Sequence, residues 1–203
     1  MFPNMAQTPD SLADPEVARL LREVEALRLE LKGMGRKLAA AERLADRDVL
    51  TPLLNRRAFV REVQRAIALT RRHKTPASVI YFDMDGFKAI NDQYGHAGGD
   101  AALMSVAKRL LEGVREEDMV GRIGGDEFAV LLAHADVAQA TAKAISLAEL
   151  VSDRPVDADG RAFAVKVTFG VRQIDAVDSA EQALAEADAA MYLRKPSRNG
   201  PSA

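Results

Sequence analysis

The chain of 203 residues contains no cysteine. That excludes disulfide staples and thiol catalysis, and it suits a reducing compartment, so the cytoplasm is the expected location. An excess of one charge is missing as well: acids and bases are well mixed and the formal net charge is −2. Without a global basic field, no nucleic acid polymer is expected as a partner. No apolar run is long enough to span a bilayer, and residues 1–14 are polar and proline-bearing, with no charged start leading into an apolar segment. A membrane partner is therefore not expected. The three histidines, His73, His96 and His134, do not have metal-ligand spacing. There is no internal repeat and no low-complexity tract.

Apolar residues make up 48% of the chain, enough for one domain with a substantial core plus an appendage. After a flexible leader (1–14), Asp14-Pro15-Glu16 reads as a helix start, with an N-cap acid and proline in the first helical position. A heptad period follows. Val17, Val24, Leu31, Leu38 and Ala45 share one seam position, while Leu20, Leu27, Met34 and Ala41 share the other until Asp48 breaks the stripe. This predicts a coiled-coil stalk over 15–47. A parallel homodimer would set Glu23 near Arg28, and Lys37 near Glu42, of the second copy. Gly33 and Gly35 act against it, each costing on the order of 1 kcal/mol relative to alanine. The alternative is an amphipathic helix packed on its own domain or on another protein.

Past Asp48 the hydrophobic period alternates. Helices are predicted over 56–73, 87–94, 100–114, 137–151 and 180–194, with strands over 77–83 and 164–171 and a polar loop over 153–160. Arg122-Ile123-Gly124-Gly125-Asp126-Glu127-Phe128 lies between apolar segments and reads as a Gly-Gly hairpin, its glycines free to take positive φ. Strands joined by one tight hairpin and otherwise separated by helices indicate an α/β fold with a mixed central sheet.

Two places carry chemistry. The hairpin puts Asp126 and Glu127 at a tip, where carboxylates can converge on a hard cation; the alternative is a solvated acidic turn. The run Ala77-Ser78-Val79-Ile80-Tyr81-Phe82-Asp83 reads as a buried strand opening into Met84-Asp85-Gly86-Phe87-Lys88. Asp83 and Asp85 share strand parity, and Gly86 and Phe87 offer backbone N–H groups at a helix start, where phosphate oxygens are well received. An isolated Asp83 would more simply cap the next helix.

Phe82-Asp83-Met84-Asp85-Gly86-Phe87-Lys88-Ala89-Ile90-Asn91-Asp92-Gln93-Tyr94-Gly95-His96, then Gly99-Asp100, then Gly124-Gly125-Asp126-Glu127-Phe128 resemble the GGDEF family of diguanylate cyclases over residues 48–199. The resemblance implies a palm-like, ferredoxin-related nucleotidyl cyclase core over 48–203. It also implies an Mg2+-dependent (or Mn2+-dependent) enzyme that joins two GTP molecules into cyclic di-GMP as a dimer and is inhibited by its product. Asp83, the Met84 carbonyl, Asp126 and Glu127 match the metal-binding positions, with Asp126, Glu127 and Lys195 catalytic. Asn91 and Asp100 match the guanine contacts, which would reject adenine by leaving a buried acceptor unpaired; as isolated residues both read as helix caps.

Gly86, Phe87 and Lys88 would hold phosphates, with His96 a secondary nucleotide contact and Arg198 a further phosphate ligand. The chain departs from the family pattern at Pro52, where glycine is usual, and at Lys195-Pro196-Ser197-Arg198-Asn199, which is one residue short. Arg115-Glu116-Glu117-Asp118 matches the family's product-binding RxxD site; an exposed charged helix end explains the same four letters. The rival functional reading is a catalytically silent domain that acts as a cyclic di-GMP receptor or scaffold.

Overall fold

The computed structural model describes residues 15–44 and 46–195, with backbone only over 36–44. The leader, the Asp14 cap, Ala45, the Lys37–Glu42 pairing and Arg198 lie outside the described residues or side chains. The chain divides into two units, Met1–Ala45 and Asp46–Ala203. In the first, α1 (Pro15–Leu44) runs 30 residues without interruption at Gly33 or Gly35. Its heptad side chains Leu20, Val24, Leu27, Leu31 and Met34 are 43–65% exposed and form an apolar seam. No helix among the described residues is long and apolar enough to cross a membrane.

The second unit runs β1 (Leu54–Asn55), α2 (Arg56–His73), β2 (Ala77–Met84), α3 (Phe87–Glu112), β3 (Met119–Arg122), β4 (Glu127–Ala133), α4 (Val137–Ser152), β5 (Val156–Ala158), β6 (Arg161–Phe163), β7 (Val167–Gln173) and α5 (Ala180–Tyr192). Five strands form one sheet in the order β1-β3-β4-β2-β7. The β1–β3 pair is parallel and the other pairs are antiparallel, so the sheet is mixed as the pattern predicts. Helices cover both faces. Ile80, Phe82 and Met84 point into a core shared with α3 and α4, while Val79 and Tyr81 point into a second core shared with α2 and α5. Burial on both faces is why β2 reads as an unbroken apolar run rather than an alternating one. Phe59, Phe82 and Phe128 are fully buried, each such ring contributing roughly 1.5–3 kcal/mol.

Helix starts follow local chemistry. Asn55 accepts a hydrogen bond from Ala58 N at α2, Ser179 accepts from Gln182 N at α5, and Asp136 with Gln139 forms a capping box at α4.

Two sequence expectations change. The loop over 153–160 is half of a second hairpin: β5 and β6 pair antiparallel as a separate two-stranded sheet, with Asp159 and Gly160 at positive φ in its turn. The last strand of the main sheet begins at Val167 rather than at 164, because its partner β2 ends at Met84, which pairs with Val167. The two helices expected over 87–94 and 100–114 are present as the two arms of α3, separated by a kink at Gly95 (φ 72, ψ 176), a backbone state that glycine adopts without steric cost.

Candidate active site

Where β2 runs out, the chain turns sharply. Asp85 N donates to Lys166 O at 2.9 Å, and Gly86 takes φ 68 as the residue before α3, a left-handed conformation that favours glycine. The first N–H groups of α3 therefore open beside the strand end, where an anion is stabilised. The two acids here part company. Asp85 Oδ1 accepts a hydrogen bond from Thr168 Oγ1 at 2.7 Å, which ties it to β7. Asp83 pairs with Lys195 instead, and both acids line one cleft.

The β3–β4 turn reaches the same cleft. Ile123 N and Gly124 N both donate to Glu127 O, closing the turn, and Met84 N donates to Asp126 O at 3.1 Å, which fastens the turn to the end of β2. Arg122 grips it from the side: Nε and Nη2 donate to Gly125 O at 3.1 and 2.7 Å, and Nη1 reaches Asp48 Oδ1 at 3.1 Å. Hydrogen bonds from Thr51 and Arg122 outweigh the effect of burial on Asp48 and hold its carboxyl below the usual range. The expectation of positive φ at Gly124 and Gly125 fails; neither adopts it. The Glu127 side chain lies over Gly124 instead: a Cβ there would meet Glu127 Oε2 at 1.9 Å, so the carboxylate would have to swing away.

Asp83, Met84, Asp85, Gly86, Phe87, Lys88, Asp126 and Lys195 surround a cleft of about 460 Å³. Burial, then the neighbouring negative charge of Asp83, raises the Asp126 pKa. Lys195 Nζ sits 2.8 Å from Asp83 Oδ1, a cation already placed against the acid pair. Hard carboxylate oxygens that repel one another beside exposed helix N–H groups fit a divalent ion bridging protein to phosphate. Among the described residues no three His, Asp or Glu side chains cluster tightly enough to enclose a cation by themselves. A cation here would thus complete its shell with oxygens other than these side chains, such as water and substrate, the coordination habit of Mg2+.

Glu127 is not among the side chains lining this cleft. It lies against Gly124 and within hydrogen-bonding reach of the Tyr81 hydroxyl. Its pKa is raised by burial, with Asp188 and Asp83 adding to the rise against the lowering effect of that hydroxyl. The Tyr81 pKa is raised too, by burial and then by the Glu127 charge. A tyrosine inside an apolar run reads as core. The register that puts it opposite Ala129, two residues along from Glu127 on the same face, is what betrays its polar end.

The bend in α3 folds its second arm back so that Gly99, the chain neighbour of Asp100, lies against Asn91. Phe87, Asn91 and Tyr94 form one stripe that packs on Gly98 and Gly99: a Cβ on Gly99 would meet Asn91 Oδ1 at 2.0 Å, and one on Gly98 would meet Tyr94 Cβ at 2.4 Å. Asp100 is exposed and stands inside the second arm rather than at its start, so it is not the helix cap its isolated sequence suggests. His96 is exposed at the bend, and it does not line the acidic cleft.

Comparison with known proteins accounts for this arrangement. The family described as diguanylate cyclase, GGDEF domain, matches residues 45–200. This chain belongs to the GGDEF domain family. Diguanylate cyclase TpbB of Pseudomonas aeruginosa is 36% identical over 186 residues, which cover 89% of this chain and 41% of that protein. The chain thus spans less than half the length of that relative. Among solved structures, the coiled coil and GGDEF domain of DgcB from Caulobacter crescentus, in complex with c-di-GMP, aligns with a TM-score of 0.73 at 27% identity, covering 87% of this chain and 94% of that one. Diguanylate cyclase SiaD from Pseudomonas aeruginosa, in complex with its activator SiaC, aligns at 0.71 with 28% identity, over 90% of this chain and 71% of that one.

The GGDEF domain has a second cleft, of about 410 Å³, lined by Arg115, Asp118, His134, Gln139, Lys143 and Ser146 among others. Asp118 is buried, and its two carboxylate oxygens accept from Arg115 N at 3.1 Å and Ala133 N at 3.2 Å. The Arg115 side chain is exposed and has a 3.7 Å ion pair with Glu117.

Proposed function

We propose that this chain is a diguanylate cyclase, condensing two GTP molecules into cyclic di-GMP with release of pyrophosphate. The observation that carries the reading is the meeting of Asp83 and Asp126 in one cleft with the opening of α3, Lys88 and Lys195. Family membership and the diguanylate cyclase named among its relatives support it.

In this reading, Asn91 and Asp100 receive the guanine, and the Gly86–Phe87 turn with Lys88 receives the phosphates. Asp83, Asp126 and the Met84 carbonyl are the ligands for Mg2+ or Mn2+, which when bound neutralises phosphate charge and eases deprotonation of the attacking hydroxyl. Lys195 gives up Asp83 as the site fills and turns its ammonium to phosphate oxygen. The ribose 3′-hydroxyl of the nucleotide on each copy gives its proton to water and its oxygen bonds to the α-phosphorus of the nucleotide on the other; each α–β phosphoanhydride breaks, and two pyrophosphates depart as the ring closes. Arg198 is assigned to phosphate by family position alone. Glu127 acts beside Asp126, held by Tyr81.

The two half-sites require two copies, and the exposed heptad seam of α1 supplies a means of parallel dimerisation. Product binding at Arg115 and Asp118 provides feedback inhibition. A cysteine-free chain using GTP suits the cytoplasm.

Incubating the purified chain with GTP and Mg2+, and separately with Mn2+, then resolving the nucleotides, tests this directly. Cyclic di-GMP and pyrophosphate are expected. Untouched GTP at concentrations where sedimentation reports a dimer, together with cyclic di-GMP binding, selects the receptor reading instead. A chain that sediments as a monomer at every concentration overturns the stalk assignment.

A further inference from the structure

The β5–β6 hairpin lies outside the main sheet and belongs to no part of the reaction described above. Its Phe163 is buried and stacks on Tyr94, with ring centroids 4.3 Å apart and planes 26° from parallel. Arg161, two residues earlier on the same strand, places its guanidinium carbon 5.0 Å from the centre of the Tyr94 ring. One hairpin strand thus supplies both an aromatic stack and a cation–π contact to a single side chain. The turn that shapes the hairpin is specific to this geometry, with Asp159 at φ 53 and Gly160 at φ 77.

Tyr94 is the last residue before the Gly95 bend. On its inner side it presses on Gly98, and the same stripe sets Asn91 on Gly99, beside Asp100. The separation of Asn91 from Asp100 depends on how closely the two arms of α3 close across these glycines. Gly95 offers little resistance to opening by itself, because glycine tolerates a wide range of backbone angles. From outside, the hairpin packs on the residue before the bend through Phe163 and Arg161.

We propose that the β5–β6 hairpin sets base specificity: Phe163 and Arg161 are positioning residues that clamp Tyr94 and so fix the spacing of Asn91 and Asp100 around the purine. The proposal rests on the assignment of Asn91 and Asp100 to the guanine. Misplacing recognition groups by a fraction of an ångström weakens hydrogen bonds that tell guanine from adenine, while phosphate contacts at Gly86, Lys88 and Lys195 stay in place.

The test is calorimetric titration of the full chain with non-hydrolysable GTP and ATP analogues in Mg2+, comparing wild type, Phe163→Ala, Phe163→Tyr, Arg161→Ala and Asn91→Ala. Phe163→Ala is expected to lower the preference for the GTP analogue by about tenfold, through weaker GTP binding with ATP binding unchanged. Phe163→Tyr retains the stack and the preference. Arg161→Ala, at an exposed position that folding tolerates, lowers the preference by roughly two- to fivefold, the usual worth of a surface cation–π contact. If Asn91→Ala destroys the preference while Phe163→Ala and Arg161→Ala both leave it intact, the hairpin has no part in specificity and the proposal fails. Should Phe163→Ala not fold, an unchanged preference in Arg161→Ala is sufficient to overturn it. If Asn91→Ala also leaves the preference intact, the base pocket itself is misassigned and the proposal falls with it.

Discussion

The β3–β4 hairpin carries an aspartate at each end, and the fold treats the two in opposite ways. At the open end, Asp118 is buried with both oxygens accepting backbone N–H groups from Arg115 and Ala133. At the turn, Asp126 is partly buried beside a second carboxylate, and burial together with Asp83 raises its pKa. The first carboxylate is satisfied by its own chain, so its charge costs little and its removal leaves donors stranded. The second has a backbone hydrogen bond and the nearby charges of Lys195 and Arg122, and these do not offset burial and the charge of Asp83. A motif acid that the fold leaves wanting a cation is a candidate for chemistry; one that the fold satisfies is at least part of the scaffold, whatever else it touches.

The largest effect that would sharpen this contrast is on turnover. Asp126→Ala should lower cyclic di-GMP formation by on the order of a thousandfold or more, the scale of losing a main electrostatic group, while Asp118→Ala should leave basal turnover of the folded fraction within a few-fold. Timed chromatography of nucleotides measures both, and equal losses would erase the distinction.

Stability should move the other way. Asp118→Ala strands two backbone N–H groups, costing about 1–3 kcal/mol, and should lower the melting temperature by roughly 5 °C in a domain of this size. A thermal melt unchanged by the substitution would mean that the two bonds contribute nothing.

A smaller effect should come from behind the cleft. A Cβ on Gly170 would meet the α5 backbone at Ala187 O (2.1 Å) and Met191 N (2.2 Å). Gly170→Ala must therefore push α5 outward, at a cost of about 1–3 kcal/mol, and carry Lys195 away from Asp83. GTP-analogue affinity should fall together with the melting temperature; a fall in stability alone would separate α5 packing from the cleft.

The smallest effect is at Asp126 itself without metal. Its raised pKa means that the folded chain binds the proton more tightly than the unfolded chain does. Its contribution to stability is therefore greatest in acid and is lost as pH rises through the window between the ordinary carboxylate value and the raised one. Asp126→Asn should remove that decline and raise the metal-free melting temperature at neutral pH by about 2 °C. Melts with chelator across pH 4 to 8 check it; parallel pH curves for wild type and variant would show Asp126 to be unstrained.

Much of this was legible from residues alone, because strong local signals agree with the fold. The run ending in Asp83 has the composition of a doubly buried strand, and α2 begins after its Asn55 cap. What escaped depends on distant partners. β1 has two residues and exists only because Leu54 and Asn55 pair with Gly121 and Arg122. β5 and β6 are three residues each, too short for alternation to register, and their value lies in Phe163 meeting Tyr94. Asp83 and Asp85 look equivalent in the sequence and both line the cleft; their partners, Lys195 and Thr168, are what differ. Gly124 suggests a positive φ it does not adopt; what lies over it is the Glu127 carboxylate.

The central claim is that Asp83 and Asp126 act together on one divalent cation beside a triphosphate. Titrating Mn2+ into the full chain with a non-hydrolysable GTP analogue, and following free Mn2+ by electron paramagnetic resonance, tests it without reliance on turnover. Saturable binding in the wild type that is lost in both Asp83→Asn and Asp126→Asn is the predicted result. Undiminished Mn2+ binding in either variant would contradict it.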